Sequence, residues 1–349
     1  MQTVYFPSLG WSFDLNPIAF SIGNLSFRWY GVLIAIGFLL ALLYVFGRIK
    51  EFGLDADRAI DVILAGTVGS IIGARAYYVI FQWSEFKDNP VSIFQIWNGG
   101  LAIYGGLIGA FAVGALFCKI RRVKLLPMFD MVCSGLLIGQ CIGRWGNFIN
   151  VEAFGGNTTL PWGMTSASIK SYLAEHQASL EAIGMTIDPS LPVHPTFLYE
   201  SLWSLIGFIL IAIYIKHRRF DGEIVLIYSG WYGFGRMFIE GLRTDSLMIG
   251  TIRVSQLLAG LLFVASLIAW IVIRGKIKAQ HDPDYLKLYA LTDEGKEVIA
   301  GTYYKRLAEE RKAAKEAAKK ASEETSDTEK AADVEEAADD NASGEDKPE

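Results

Sequence analysis

Residues 143–155 read Gly-Arg-Trp-Gly-Asn-Phe-Ile-Asn-Val-Glu-Ala-Phe-Gly and carry Arg144, Asn147, Asn150 and Glu152 out of a long apolar run into a loop. On a helix Arg144 and Asn147 lie three apart and share a face. The glycines of this stretch let the chain turn and let a backbone or ligand come close. Polar and ionisable groups beside an apolar span are costly, so they usually face a protein interior or a watery cavity and mark function. An ordinary helix end, with Trp145 at an interface and Arg144 snorkelling, accounts for Arg144 alone. It does not account for the packed cluster.

A second charged set lies at Arg236, Glu240 and Arg243. At 100° per residue, Glu240 falls about 40° to one side of Arg236 and Arg243 about 20° to the other, so the three share one helical stripe. An interfacial salt-bridge ladder is the plain reading, worth about 0.5 kcal/mol per exposed pair. The sharper reading is an anion clamp in which Glu240 holds the guanidinium heads, because arginine offers planar, multiple donors that suit phosphate. Arg144 is expected on the same side, which favours the clamp.

Tyr30 and Tyr104 each read first as interfacial anchors, but Tyr104 sits among Gly99, Gly100, Gly105 and Gly106, which permit close approach. His194, before Pro195, reads as a helix-entry residue or a substrate contact. Four histidines, two of them at positions 217 and 281, cannot assemble a His-rich metal site, so no metal is expected. Cys118, Cys133 and Cys141 sit in apolar runs and read as small hydrophobes, with no disulfide or zinc spacing.

The elements that must position these residues are apolar. Of 349 residues, 52% are hydrophobic, and the mean hydropathy of +0.31 is too high for an ordinary soluble domain of this length. Residues 279–349 hold 11 Lys/Arg against 20 Asp/Glu, whereas the other 278 residues hold 21 against 17. The overall net charge of −5 therefore belongs to the tail and describes no acidic catalytic body.

A membrane-spanning helix needs about 20 predominantly apolar residues. Seven such stretches are expected, near 29–47, 60–82, 98–118, 128–147, 196–215, 222–241 and 254–273. The second and fourth are the least clean, through Asp61, Arg75 and Asp130. A six-span arrangement with one re-entrant segment is the alternative. The fold class is an all-α polytopic membrane protein. Alternate connections carry 13 Lys/Arg on one side and five on the other, which puts the N-terminus outside and the C-terminus in the cytoplasm. No Lys or Arg precedes Arg28, so a cleavable signal peptide is not expected.

The expected organisation is a transmembrane catalytic body over 1–278, with an outer loop over 150–193, and a charged cytoplasmic tail over 279–349. Within the loop, residues 166–183 suit a short surface helix between Pro161, Gly163 and Pro189. In the tail, 302–324 favour an exposed helix, and the acidic sequence beyond 325 reads as disorder. Deleting 285–349 is expected to leave activity largely intact. In this topology Tyr30, Tyr104, Arg144, His194 and the Arg236 set all reach one membrane depth.

The stretch 143–155 matches throughout the Gly-Arg-x-Gly-Asn-Phe-x-Asn-x-Glu-x-x-Gly signature of the prolipoprotein diacylglyceryl transferases, bacterial membrane enzymes that the chain resembles over roughly residues 20–275. Arg-Trp-Tyr-Gly at 28–31, Gly-Gly-Leu-Ala at 99–102, His194-Pro195 with Leu198-Tyr199-Glu200, and the Arg236/Glu240/Arg243 set resemble the family as well. The resemblance implies transfer of the diacylglyceryl group of phosphatidylglycerol to the lipobox cysteine of a preprolipoprotein signal peptide. It implies a thioether product, glycerol 1-phosphate as leaving group, and a site toward the outer leaflet of a bacterial cell membrane.

On that footing Arg144 and Arg236 would bind phosphate or headgroup, with Glu240 and Arg243 in support. Tyr30, Asn147 and Glu152 would orient substrate, and Gly155 would let it approach. No metal, nucleotide, redox cofactor or nucleic acid is implied. One position departs: many members have His where this chain has Tyr104, and an unperturbed phenol is a poor base near neutral pH. Tyr104 activated by cations, Tyr104 as an orienting group, and a different proton acceptor all stay open. A small transporter of an anionic or lipid substrate is the competing class, although the charges cluster toward one face and no paired broken spans are visible.

Overall fold

The computed structural model describes residues 1–320 apart from Asn24, Ser246, Leu247 and Thr251, so the expected disorder beyond 325 lies outside the described residues. The chain opens with two antiparallel hairpins, β1 (Gln2–Phe6) with β2 (Trp11–Leu15) and β3 (Ile18–Ile22) with β4 (Leu25–Arg28). Alternation of apolar and polar residues in these short runs suits half-buried strands. An all-α expectation passes over them because they are too short to register beside the long apolar helices.

Helices then carry the architecture: α1 (Trp29–Gly47), α2 (Ala56–Phe81), short α3 (Trp83–Phe86), α4 (Ile103–Arg121) and α5 (Leu125–Asn150). After β5 (Thr165–Ser166) come α6 (Ala167–Ala182), α7 (Thr196–Tyr214) and α8 (Glu223–Leu242). The small hairpin of β6 (Met248–Ile249) and β7 (Ile252–Arg253) leads into α9 (Val254–Gln280).

Six helices among the described residues are long and apolar enough to cross a membrane: α1, α2, α4, α5, α7 and α9. The fold is mostly helical and polytopic. The helix below that standard is α8, the sixth expected span, not the second or fourth, which sequence marks as least clean. Glu223, Arg236 and Glu240, with its many small and aromatic residues, lower the hydropathy of α8. Two boundaries also move. Residues 98–102 precede α4 instead of opening it, and α5 runs on to Asn150, so Asn147 and Asn150 are helical.

The ends of α1, α4, α7 and α9 gather with the starts of α2, α5 and α8, which brings the basic connections together. At this basic end, Arg48 donates to the Ala212 carbonyl, and fully buried Asp130 accepts from the backbone N–H groups of Gly222 and Val225 at the start of α8. That carboxylate, an interruption when α5 is read alone, serves as an N-terminal cap for another helix. Glu223 is equally buried and accepts from Tyr214, Trp270 and Arg274. An apolar core of Phe52, Met128, Met131, Leu137, Ile211 and Ile224 packs above.

A second core at the opposite end joins Val4 and Phe6 of β1 to Phe148, Met164, Ile169, Leu173, Val193 and Phe197. Here β5 pairs with β1, and Ser166 caps α6 by accepting from the Ile169 N–H. The expected helix at 166–183 is α6. It closes over the site end of the molecule together with the first hairpin.

The compact body runs from Met1 to Thr292, so residues 279–292 belong with it. Tyr289 is buried, donates its N–H to Asp221, and lies with Ala290 against Gly53. A second unit follows, with α10 (Asp293–Ile299) and a helix over 303–320 where the alanine-rich sequence favours one. Deleting 285–349 removes buried Tyr289 and its bond to Asp221, at a cost of about 2–3 kcal/mol. A melting midpoint equal to that of the full chain would show that the 285–292 segment adds nothing.

Candidate functional site

Glu200 is the hub of the site. It lies in the first turns of α7 with its side chain only 8% exposed. Its Oε2 pairs with Arg144 Nε of α5, its Oε1 accepts from Arg236 Nη1 of α8 at 2.6 Å, and Arg243 Nη1 approaches the same oxygen at 3.5 Å. Arg236 turns its other terminal nitrogen to Glu240, at 2.5 Å, and Arg243 makes a two-pronged pair with Asp245 at 2.7 and 2.9 Å. Three guanidiniums thus meet three carboxylates. The cluster is neutral overall, but Arg144 and Arg236 have N–H donors beyond those already used, since each guanidinium carries five.

The packing of α7 on α8 fixes this register. Trp203 and Trp231 stack with centroids 4.1 Å apart, and each indole N–H donates to the other's carbonyl at 3.0 Å. Gly207 and Gly235 leave room for the two rings. One turn from Trp203, Glu200 is thereby set opposite Arg236. A cavity of about 20 Å³ lies beside the cluster, bounded by Gln140, Arg144, Glu200, Tyr232 and Arg236.

The end of α5 supplies the next layer. Arg144 Nη1 reaches Asn147 Oδ1 at 3.4 Å, and the amides of Asn147 and Asn150 donate to Glu152 Oε1 at 2.9 and 3.2 Å. Glu152 is turned back onto the helix because Val151 and Ala153 adopt left-handed backbone, with φ 53° and 57°. Such strain in non-glycine residues costs on the order of 1–3 kcal/mol and concentrates at functional sites. Tyr30 of α1 packs its ring on Gly146, where a Cβ would come within 2.5 Å of it.

Two further expected residues lie one layer out. Gly155 donates its N–H to the His194 carbonyl, and a Cβ on it would stand 2.9 Å from the Leu242 carbonyl, so only glycine lets the loop lie this close to the end of α8. His194 Nδ1 contacts the Tyr199 hydroxyl at 3.1 Å, and burial pushes its pKa below the ordinary value. These two seat the 150s loop on the cluster's helices. The Tyr104 hydroxyl shares a 3.1 Å hydrogen bond with Ser255 of α9.

The structure therefore brings together Arg144, Arg236, Glu240 and Arg243 directly, with Asn147 and Glu152 beside them. The helical-wheel placement of Arg243 needs correction. It is the residue after α8, in extended backbone with φ −74° and ψ 144°, and it reaches the cluster from the turn and not from the stripe. Sequence reasoning quoted Glu200 in a motif but gave it no role. It missed Asp245, and it missed Arg253, which donates to the Glu240 and Arg243 carbonyls and places a cation at the α8 C-terminus.

An arginine–carboxylate cluster walled by apolar helices defines a polytopic membrane protein with a polar site between its helices. The family model described as prolipoprotein diacylglyceryl transferase matches residues 17–272. A protein of Limosilactobacillus reuteri named phosphatidylglycerol–prolipoprotein diacylglyceryl transferase is 46% identical over 265 residues, which cover 75% of this chain and 92% of that one. Proteins of the same name from Staphylococcus haemolyticus and Staphylococcus aureus are each 42% identical, over 77% and 79% of this chain and 92% and 95% of theirs. The chain belongs to the prolipoprotein diacylglyceryl transferase family. The 143–155 stretch and every member of the arginine cluster fall inside the matched region.

Proposed function

We propose that this protein transfers the diacylglyceryl group of phosphatidylglycerol to the lipobox cysteine thiol of a preprolipoprotein. The observation that carries the reading is the convergence of Arg144, Arg236 and Arg243 on Glu200 within the family-matched region. The cysteine sulfur forms a bond to the glyceryl carbon that bears the phosphate. The C–O bond of that carbon breaks, and its electron pair leaves with glycerol 1-phosphate. A thiol reacts as its thiolate, so its proton is removed as it attacks.

Arg144 and Arg236 hold the phosphate as negative charge grows on it. Donors fixed beforehand by Glu200 and Glu240 need no reorganisation at that moment. Arg243 supports them from the turn. Tyr30, Asn147 and Glu152 orient the headgroup and the incoming peptide, and Gly155 and His194 hold the loop close. Tyr104 orients the thiol or relays its proton from the α4 side. An apolar cavity of about 330 Å³ between α1, α2, α4 and α5, lined by Phe38, Gly106, Leu107 and Phe111, begins within a turn of Tyr104 and offers room for an acyl chain. The family match and the names of the relatives support transfer over transport.

The reading is completed by placing the protein in the bacterial cell membrane with its site toward the outer leaflet. The α8 helix, with 20 residues, is long enough at about 30 Å to serve as the seventh span. The basic end then faces the cytoplasm with the C-terminus, and α6 lies outside. A cysteine at position 170 should react with an impermeant thiol reagent in intact cells, and one at 124 only after permeabilisation. The reverse pattern would invert the orientation.

The activity is tested by incubating the purified protein with phosphatidylglycerol labelled in its acyl chains and a lipobox peptide. Label should move to the peptide as a thioether and should not move to a peptide with serine in place of the cysteine. Label that stays in lipid throughout overturns the proposal.

A further inference from the structure

Arg75 is a buried cation that the proposed chemistry leaves unused. It projects from the site end of α2, is 8% exposed, and among the described residues no carboxylate lies within ion-pair distance. Four backbone carbonyls surround its guanidinium instead. Nε donates to Ile93 at 2.7 Å, Nη2 to Ser92 at 2.7 Å, and Nη1 to both Gly99 and Gly100, at 2.8 and 2.9 Å. The Phe86 and Tyr78 rings flank it at 5.0 and 6.0 Å.

A cation balanced only by carbonyl dipoles is an expensive way to fill space between apolar helices, and an apolar side chain of similar volume usually costs less. What the guanidinium achieves is geometric. It draws two pieces of chain, 92–93 and 99–100, onto one planar head and so closes the segment that leads into α4. Gly100 rests on it with φ +73°, and a Cβ there would lie 2.5 Å from Nη1. Next along, the Ala102 N–H donates to the Ala74 carbonyl, adjacent to Arg75. The α4 helix starts at Ile103, and Tyr104 is its second residue. Tyr104 is 39% exposed. Its position follows from where α4 begins, and its hydroxyl is held by the bond to Ser255.

We propose that Arg75 is a positioning residue of the transfer reaction, which places Tyr104 by holding the Ser92–Ile93 and Gly99–Gly100 carbonyls on one guanidinium. The inference rests on the reading of Tyr104 as a site residue. Lysine keeps the charge but has a compact head that cannot span four carbonyls from two segments.

The experiment is a double-mutant cycle on the full chain in phosphatidylglycerol-containing nanodiscs with a lipobox peptide, reading kcat, KM for each substrate, and melting midpoint. Tyr104→Phe should lower kcat. Arg75→Lys should lower kcat about tenfold, with KM for phosphatidylglycerol within about twofold of native. In the Tyr104→Phe background, Arg75→Lys should cost less than about a further twofold, because the phenol it places is already gone. An equal loss in both backgrounds, or a native kcat for Arg75→Lys, overturns the proposal. If Arg75→Lys does not insert, Gly100→Ala perturbs the same turn and enters the same cycle with the same expectations. A native rate for Tyr104→Phe would fail differently. It would remove Tyr104 from the site and the proposal with it, while leaving the transfer activity standing.

Discussion

Arg236→Lys is expected to lower turnover about a hundredfold at saturating phosphatidylglycerol, although the charge is kept. Arg236 divides its head between Glu200, at 2.6 Å, and Glu240, at 2.5 Å, which leaves its remaining N–H groups fixed for an anion. A lysine ammonium can satisfy one of these carboxylates and still lacks the planar donor set. Loss of such a preorganised set costs on the order of 3 kcal/mol in the transition state. The comparison needs equal membrane insertion and a full lipid series, so that weaker ground-state binding is separated from slower chemistry. Native turnover under those conditions would mean that Arg236 is an anchor and that the phosphate is held elsewhere.

Glu200→Gln should produce the other large defect, for a different reason. Glu200 carries no proposed contact with substrate, yet three arginines from two helices and a turn converge on its carboxylate. The amide keeps the volume but turns an N–H₂ toward guanidiniums that need acceptors, and it leaves the cluster one charge positive. Breaking a buried pair from one side costs about 3–5 kcal/mol, so a lower melting midpoint is expected. Turnover of the folded fraction should fall by about a hundredfold as Arg144 and Arg236 lose their common reference. Because both substitutions act through the Arg236 head, Glu200→Gln with Arg236→Lys should be less than multiplicative. Fully multiplicative losses would mean that Glu200 and Arg236 work independently, against the shared-head arrangement.

These two residues also mark the boundary between what was legible in sequence and what was not. Arg236 and Glu240 lie four apart on one helix, and helical periodicity alone predicts their pairing. Glu200 is 36 residues from Arg236 and 56 from Arg144, numbers that carry no periodic signal. Its place depends on the register of α7 against α8, which the reciprocal Trp203–Trp231 contact sets. No local pattern encodes that register.

The sequence by itself determined the long apolar helices, the surface helix at 167–182, the polar stretch at 143–155 and the family, because helix length, hydropathy and a contiguous motif are properties of neighbouring residues. Contacts between distant segments were decided only in three dimensions. Asp130, which interrupts α5 in sequence, caps α8, and Arg75, which interrupts α2, closes the approach to α4. Arg243 leaves the helix and reaches the cluster from an extended turn, and left-handed backbone at Val151 and Ala153 folds Glu152 back onto Asn147. Asp130, Arg75 and Arg243 each pair with a segment far away in the chain, whereas Glu152 reaches back only to Asn147, through a backbone turn that helical periodicity does not encode. The desolvation cost that makes such a residue look out of place in an apolar run is offset only when tertiary packing delivers its partner.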